Sequence, residues 1–288
     1  MHPPRFVLLC VVSVLWASVA EPGAAAPADG CGAVISIETH NRTTTRYAFA
    51  HAGDATGQGP RTALVLLVGG GGHVDLDDQG CPRALTGNPL VRMLPLFHDA
   101  GFATALVDAP SDHPGEDGLA GFRMAGQHAD DVGKVIADMR ARAGGPVWLL
   151  GHSRGTISAA NVAARLSGPS APDGVVLLSA MMVGNAGGRK TWVAQTVFDP
   201  TLEAIKAPTL VLGHVADNCI RSPAGQMGNV AARIHGARHQ AVAVTGGPAK
   251  PGGMASIADC GARQPHGFID QEAEIVAGIG RFIRGDSY

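Results

Sequence analysis

Charged residues are scarce in this 288-residue chain, and no internal repeat is visible. Only 16% of the residues are charged, and 22 Lys and Arg against 24 Asp and Glu give a net charge of −2. The basic residues are scattered rather than clustered, which argues against a nucleic-acid partner. With 45% hydrophobic residues the chain can still bury a full core, so disorder is excluded as its main state.

Several ligand-binding motifs are missing. The sequence contains no Cys-x-x-Cys pair, which argues against a zinc site. The four glycines at 69–72 are not followed by Gly-Lys-Ser/Thr, so they do not form a phosphate loop. The acidic stretch 73–80 lacks the alternating third acid and the closing Glu of a calcium loop. We therefore expect neither a metal ion nor a cofactor.

The N-terminus has the composition of an export leader. Arg5 precedes an apolar run over 6–16, and small residues followed by a Pro/Ala/Gly-rich stretch come next. This pattern predicts a signal peptide over 1–20 and a flexible leader over 21–30. The apolar run is too short to span a bilayer comfortably, so we expect no stable membrane anchor after cleavage. The remaining domain, 31–288, is expected to be secreted or periplasmic.

Apolar segments of strand length alternate with helical segments along this domain. The alternation predicts an α/β fold, in which a mostly parallel eight-stranded sheet is flanked by helices and the first two strands form a hairpin. Only about 26 residues, 182–207, separate the sixth and seventh strands, so no large inserted lid is expected. The predicted strands are 32–40, 44–52, 62–72, 102–110, 146–151, 174–181, 208–215 and 240–246.

For two of the predicted helices the sequence also predicts a cap, a kink or an exposed face. Asn88 is positioned to cap a helix that Pro95 should kink. A later helix over 120–143 carries polar residues that are expected to form an exposed face: His128, Asp130 and Asp131.

A serine lies between two glycines where a predicted strand meets a predicted helix. Ser153 follows the apolar strand ending at Gly151 and precedes Gly155 and a helix over 154–166. The bare Gly-x-Ser-x-Gly pattern is weak, but here the serine must occupy a sharp, strained turn, and the glycines let strand and helix approach each other. We interpret Ser153 as an exposed nucleophile.

An active serine needs a base and an acid further along the chain. Of the 12 histidines, His266 alone lies between the last strand and the closing helix with a Gly after it. Asp217 follows the seventh strand, where an acid loop is expected, although Asp199 and Asp259 are also available by position. We predict His266 as the base and Asp217 as the acid.

An oxyanion formed at Ser153 would need backbone donors. The N–H of Arg154, directly after the nucleophile, is one candidate, and the glycine-rich loop offers Gly70 or Gly71 as the second. The loop over 108–117 carries Asp112 and His113. We expect this loop to be exposed to solvent rather than to contact substrate through either residue.

These segments together resemble those of α/β-hydrolases. GGGGH, GNPLVR, DAPSDH, GHSRGTISAAN, APTLVL, ADNC and HGF, spread over 31–285, are similar to segments of exported bacterial serine hydrolases. The resemblance implies a Ser153–Asp217–His266 triad, which points to cleavage of a small carboxylic ester through an acyl-enzyme. Amide or peptide cleavage by the same triad, and a non-catalytic secreted binding protein on the same fold, are the alternatives. The sequence departs from the usual pattern of this superfamily in two ways. Asp217 follows GHVA rather than the commoner Gly-x-x-Asp spacing, and no His precedes the glycine loop.

Four cysteines remain once the leader and its Cys10 are removed, and an oxidising compartment favours two disulfides. Three connectivities are open. We favour Cys219 with Cys260, because this bridge would hold the acid loop against the histidine loop. The other pair, Cys31 with Cys81, would then fix the first strand to the segment after the glycine loop.

Overall fold

The computed structural model of the protein describes Met1 and residues 31–51, 61–236, 238–248 and 252–288. Apart from Met1, the predicted signal peptide (1–20) and leader (21–30) lie outside the described residues. Among those that are described, no helix combines the length and the apolar character needed to cross a bilayer.

Eight strands form one sheet in the order β1-β2-β4-β3-β5-β6-β7-β8. β1 and β2 form the predicted antiparallel hairpin, β2 is antiparallel to β4, and every pairing beyond β4 is parallel. The prediction of a mostly parallel eight-stranded sheet is confirmed. The strands are β1 Ala33–Glu38, β2 Thr44–Ala50, β3 Ala63–Leu67, β4 Ala103–Val107, β5 Val147–His152, β6 Gly174–Leu178, β7 Thr209–His214 and β8 His239–Val244.

Helices cover both faces of the sheet. The central strands β3 to β7 are buried along their whole length, as expected when a parallel sheet is covered on both sides. One core lies beneath α3, α4 and α5, and the other beneath α1, α2 and α6. The helices are α1 Pro89–Arg92, α2 Leu94–Asp99, α3 Gly126–Ala143, α4 Gly155–Arg165, α5 Met227–Ala232 and α6 Glu272–Ile283.

The segment after β3 contains the predicted cap and kink. The side chain of Asn88 accepts a hydrogen bond from the backbone N–H of Leu90 at 3.0 Å. The helix breaks at Met93, between α1 and α2, because Pro95 in the first turn of α2 has no N–H to continue the ladder.

The prediction that three polar residues of the helix over 120–143 form an exposed face is wrong for two of them. Asp130 is exposed, but His128 and Asp131 are buried. The turn between β1 and β2 covers this face, and the backbone N–H and the imidazole of His40 both bind the Asp131 carboxylate. The spacing of polar residues within a helix cannot show that a segment 91 residues away in the sequence covers them.

Both cysteine pairs are disulfide-bonded in the structure. Cys31 joins Cys81, and Cys219 joins Cys260. No large lid is inserted between β6 and β7, where the chain forms only short 3₁₀ turns such as Thr191–Ala194.

Candidate active site

Ser153 lies on a strained turn between β5 and α4. Its φ of +53° is in the left-handed region, which a side chain with a Cβ rarely adopts. A Cβ on Gly151 would lie 2.5 Å from the carbonyl oxygen of Gly155, and one on Gly155 would lie 2.0 Å from that of Leu67. Only glycine fits at either position, which explains the spacing of the motif.

Ser153 is more enclosed than the sequence suggested, with 9% of the residue exposed. The glycine loop packs directly against it, because a Cβ on Gly69 would lie 2.9 Å from the Cβ of Ser153. The serine therefore lies between the start of α4 and the glycine loop.

Asp217 and His266 meet across the carboxyl ends of β7 and β8. The Nδ1 of His266 lies 3.0 Å from the Oδ2 of Asp217, and both side chains are 1% exposed. The other carboxylate oxygen of Asp217 accepts the backbone N–H of Cys219 at 2.8 Å. Because Cys219 is bonded to Cys260, a covalent link joins the two loops beside this pair.

The other two candidate acids are bound elsewhere. Asp259 accepts a hydrogen bond from the hydroxyl of Ser256, and Asp199 accepts one from the hydroxyl of Thr196. Of the three carboxylates considered from the sequence, Asp217 alone contacts His266.

Ser222 is a fourth member of this group that sequence reasoning missed. Its buried hydroxyl donates to Oδ2 of Asp217 at 2.8 Å and lies 2.8 Å from Nδ1 of His266. The hydroxyl therefore touches both partners of the acid–base pair. A single serine five residues after an aspartate has no distinctive spacing, so no sequence signal could have identified it.

The backbone of His266 is fixed by two donors from neighbouring strands. The Nε2 of His152 and the hydroxyl of Ser179 lie 3.0 and 2.8 Å from its carbonyl oxygen. Burial, reinforced by the nearby His266, holds the pKa of His152 well below its usual range. The neutral ring of His152 thus donates through Nε2 and accepts through Nδ1 from the amide of Asn88 at 3.1 Å.

Arg92 of α1 fixes the same loop from outside. Its guanidinium donates to the carbonyl oxygens of Ala262 and Gly267 at 2.9 and 2.6 Å, and it pairs with Glu272 at 2.7 Å. The histidine loop is therefore bound to α1 and α6 as well as to the acid loop.

The other ring nitrogen of His266 has no protein partner. Nε2 is buried and, among the described residues, makes no hydrogen bond. A buried nitrogen without a partner is costly. Both ring nitrogens of the buried His128 are in the same state, so it is the combination with the Asp217 contact at Nδ1 that distinguishes His266.

The glycine loop presents free backbone donors next to the serine. Within the described parts of the chain, no group accepts a hydrogen bond from the N–H of Gly70, Gly71 or Arg154. The loop turns sharply at this point, with positive φ at Gly70 and Gly72 and a hydrogen bond from Gly72 to the carbonyl of Gly69. These are the N–H groups that the sequence nominated as oxyanion donors.

A buried arginine holds the glycine loop from behind. Arg123 donates to the carbonyl oxygens of Val68 and Gly70 at 3.2 and 3.1 Å and to the hydroxyl of Ser158 at 2.9 Å. Its full burial, together with the nearby Arg154, lowers its pKa to about 9. The arginine therefore joins the carbonyl side of the loop to α4 and leaves the N–H side unobstructed.

Two features define the surroundings of the site. The Arg154 side chain lies against Trp192, 4.3 Å from the ring centroid, and burial lowers its pKa to about 10. A cleft of about 340 Å³ adjoins the glycine loop at Gly71. Its other lining residues are His73, Asp75, Ala84, Leu85, Gly115 and Glu116.

Solved structures with this arrangement of strands include several esterases. Est1E from Butyrivibrio proteoclasticus superposes with a TM-score of 0.58 at 12% identity, over 88% of this chain and 98% of that one. A thermostable carboxyl esterase from Bacillus coagulans gives 0.57 at 12% identity over 88% and 97%. The esterase RhEst1 from Rhodococcus sp. ECU1013 gives 0.56 at 16% identity over 88% and 99%. No protein-family model matches the sequence, and neither does any curated protein.

The strand order, the strand–serine–helix turn and these superpositions agree on the architecture. The chain has the fold of the α/β-hydrolase superfamily.

Proposed function

We propose that the protein is an exported serine hydrolase that cleaves a small carboxylic ester through an acyl-enzyme intermediate. In this proposal Ser153 is the nucleophile, His266 the general base and Asp217 the residue that orients the imidazole.

The observation that carries the proposal is the state of the His266 ring. Nδ1 faces a buried carboxylate at 3.0 Å, while Nε2 is buried without a partner. An Asp–His pair used only for stability would have both nitrogens satisfied or one in solvent. A ring oriented by Asp217 and open at Nε2 can serve as a general base for a hydroxyl that comes within hydrogen-bond distance of it. Among the described residues no hydrogen bond joins Nε2 to the hydroxyl of Ser153 in this structure, so the proposed reaction requires the two atoms to approach when substrate binds.

The proposed reaction follows from this arrangement. The Oγ of Ser153 attacks the ester carbonyl while its proton passes to Nε2 of His266. The imidazolium then gives that proton to the departing alcohol, which leaves an acyl group on Ser153. Water, deprotonated by the same Nε2, attacks the acyl carbon. The bond from that carbon to Oγ of Ser153 then breaks, the imidazolium returns its proton to Oγ, and the acid is released.

Each tetrahedral intermediate carries a negative oxygen that needs hydrogen-bond donors. The N–H of Arg154 is the first proposed donor, and that of Gly70 or Gly71 is the second. Because these groups are fixed by the turn and by Arg123 before substrate arrives, little reorganisation is needed when the charge develops.

The short segment between β6 and β7 supports a small or exposed substrate. The cleft of about 340 Å³ beside Gly71 is lined by neither Ser153 nor His266, so its volume does not bear on substrate size. The segment between β6 and β7 is too short to form a large acyl-binding cap.

Export is supported by the disulfides and the leader composition. Two disulfides in a chain of this size are typical of an oxidising compartment, which favours a secreted or periplasmic location. Detection of an N-terminus within residues 21–31 on protein recovered outside the cytoplasm would test this part of the proposal.

The hydrolysis of p-nitrophenyl esters of increasing acyl length tests the reaction. Disulfide-intact protein is expected to turn over short acyl esters, and Ser153→Ala and His266→Ala are expected to lose on the order of 10⁴-fold or more in kcat. Ser167→Ala is the matched control, because Ser167 is exposed at the end of α4.

Two results would count against the proposal. Turnover that survives in Ser153→Ala would assign the reaction to another nucleophile. Absence of turnover for every ester, with amides or peptides cleaved instead, would keep the triad and replace the substrate class.

A further inference from the structure

A second cluster of histidine and aspartate side chains lies where the β1–β2 turn meets the loop after β4. It consists of His40, Asp112 and His113, and is named the His40 cluster below. One ligand atom of each residue lies within 4.8 Å of the other two. We propose that the His40 cluster binds a divalent transition-metal ion of the zinc class.

His40 is held in the orientation that a metal-bound histidine adopts. Its Nδ1 lies 2.6 Å from Oδ2 of Asp131, and its backbone N–H donates to the other oxygen of that carboxylate at 2.9 Å. Metal-bound histidines almost always give their second ring N–H to such an acceptor. The remaining nitrogen, Nε2, faces Asp112 at 3.0 Å.

His113 is oriented in the same manner by other groups. Its Nδ1 lies 3.3 Å from the carbonyl oxygen of Gly118, and one of its ring nitrogens lies within 4.8 Å of the ligand atoms of His40 and Asp112. Its ring stacks on Phe122 at 4.3 Å between centroids, and the His40 ring packs on the same Phe122 at 4.8 Å. One aromatic side chain thus fixes both imidazoles.

The donor set selects the class of ion. Two imidazoles and one carboxylate suit Zn²⁺ and its neighbours, whereas Ca²⁺ and Mg²⁺ require oxygen ligands. Three protein ligands leave the fourth tetrahedral position to water. Bond lengths of about 2.0 Å would place the ligand atoms roughly 3.3 Å apart. Asp112 already lies 3.0 Å from Nε2 of His40, and its side chain is 43% exposed.

The charges of the cluster also match a divalent cation. With both imidazoles neutral, the charge of the ion is balanced by the carboxylates of Asp112 and Asp131, the second of which is 3% exposed.

The position of the cluster indicates what the ion would do. It would join the β1–β2 turn to the loop over 111–119 and, through Asp131, to α3. That loop packs against the glycine loop, where Leu119 donates to the carbonyl of Gly71 at 2.7 Å. The ion would therefore stabilise the surroundings of the glycine loop without contacting Ser153.

Zinc binding by full-length, untagged, disulfide-intact protein tests the proposal. After dialysis against EDTA and then buffer, equilibrium dialysis with ZnCl₂ is expected to give one equivalent bound. The Tm is expected to rise by about 5 °C at saturating zinc relative to EDTA. Asp131→Asn is expected to weaken binding about 10–100-fold, because it removes the acceptor that orients His40.

Two variants and a matched control complete the test. His113→Ala and Asp112→Asn are expected to lose the bound equivalent and the Tm rise, while their Tm in EDTA stays near that of the wild type in EDTA. His239→Gln, which changes an exposed histidine on β8 at the opposite edge of the sheet, is expected to bind zinc normally. Failure of the wild type to bind zinc, or equal binding by all four variants, would overturn the proposal. Either result would leave the His40 cluster as a structural hydrogen-bonded group in which Asp131 and Asp112 hold the His40 ring.

Discussion

Two Asp–His pairs in this molecule have similar inner geometry and different surroundings. In one, Nδ1 of His266 faces Asp217 at 3.0 Å, and in the other Nδ1 of His40 faces Asp131 at 2.6 Å. The distinction lies at the second nitrogen. The Nε2 of His266 is buried and has no hydrogen-bond partner in the part of the chain that the structure describes, whereas that of His40 faces the carboxylate of Asp112.

This difference teaches that an aspartate-oriented imidazole is not in itself a catalytic unit. The carboxylate fixes the ring and its tautomer in both places. The group facing Nε2 then determines whether the ring can take a proton from a nucleophile or is directed towards an ion.

The largest expected effect comes from neutralising the acid of the first pair. Asp217→Asn is expected to lower kcat for ester hydrolysis about 10⁴-fold, because the imidazolium formed during the reaction loses its partner. Asp259→Asn, which removes the alternative acid in the neighbouring loop, is expected to retain wild-type turnover. Equal losses in the two variants would show that His266 does not depend on Asp217.

The two disulfides provide a second contrast. They close loops of 41 and 50 residues, so removal of either pair by double Cys→Ser substitution is expected to lower the free energy of unfolding by about 4 kcal/mol. Only loss of Cys219–Cys260 is expected to lower kcat/KM as well, on the order of 10²-fold, because it frees the acid and histidine loops. Urea unfolding and ester kinetics on both variants measure the two effects separately. Equal activity losses would mean that the bridge near the triad has no positioning role.

Ser222 bonds both members of the first pair. Ser222→Ala is expected to lower kcat about tenfold with little change in KM, because the hydroxyl that bonds both Asp217 and His266 orients them without contacting substrate. Ser222→Thr keeps the hydroxyl and is expected to restore most of the rate. A larger effect on KM than on kcat would place Ser222 against the substrate instead.

His128 is a buried histidine whose ring nitrogens have no hydrogen-bond partner among the described residues. Burial, aided by the nearby charge of Arg123 and by His113 and His40, lowers the pKa of His128 to about 3. Unfolding restores its ordinary value of 6.5, so the unfolded chain binds more protons between these pH values. The stability contribution is complete above pH 6.5 and is lost as pH falls towards 3, by at most about 1.4 kcal/mol per pH unit.

His128→Leu measures this contribution. Urea unfolding of the wild type and the variant at pH 7.5 and pH 5 is expected to show a loss of stability on acidification that is smaller in the variant by about 1–2 kcal/mol. The same loss in both proteins would show that His128 does not take up a proton on unfolding.

Local signals in the sequence were sufficient for most of the architecture. The central strands β3 to β7 are predominantly apolar segments, Asn88 caps its helix, and Pro95 breaks it. The loops that carry Ser153, Asp217 and His266 were also predictable, because their order along the chain follows the order of the strands.

Contacts between distant segments were not predictable. The polar face of α3 suggested exposure of His128 and Asp131, but the β1–β2 turn covers it. Arg123 is a fully buried arginine whose hydrogen-bond acceptors lie in the glycine loop and α4. Such residues are polar in the sequence and buried in the fold, and only the three-dimensional neighbour explains them.

Covalent labelling with a fluorophosphonate, followed by mapping of the modified peptide, tests the central claim most directly. One adduct per molecule is expected, on Ser153, and it should form much more slowly in His266→Ala than in the wild type. Absence of an adduct on folded wild-type protein, or an adduct on another serine, would contradict the assignment of Ser153 as a nucleophile activated by the Asp217–His266 pair.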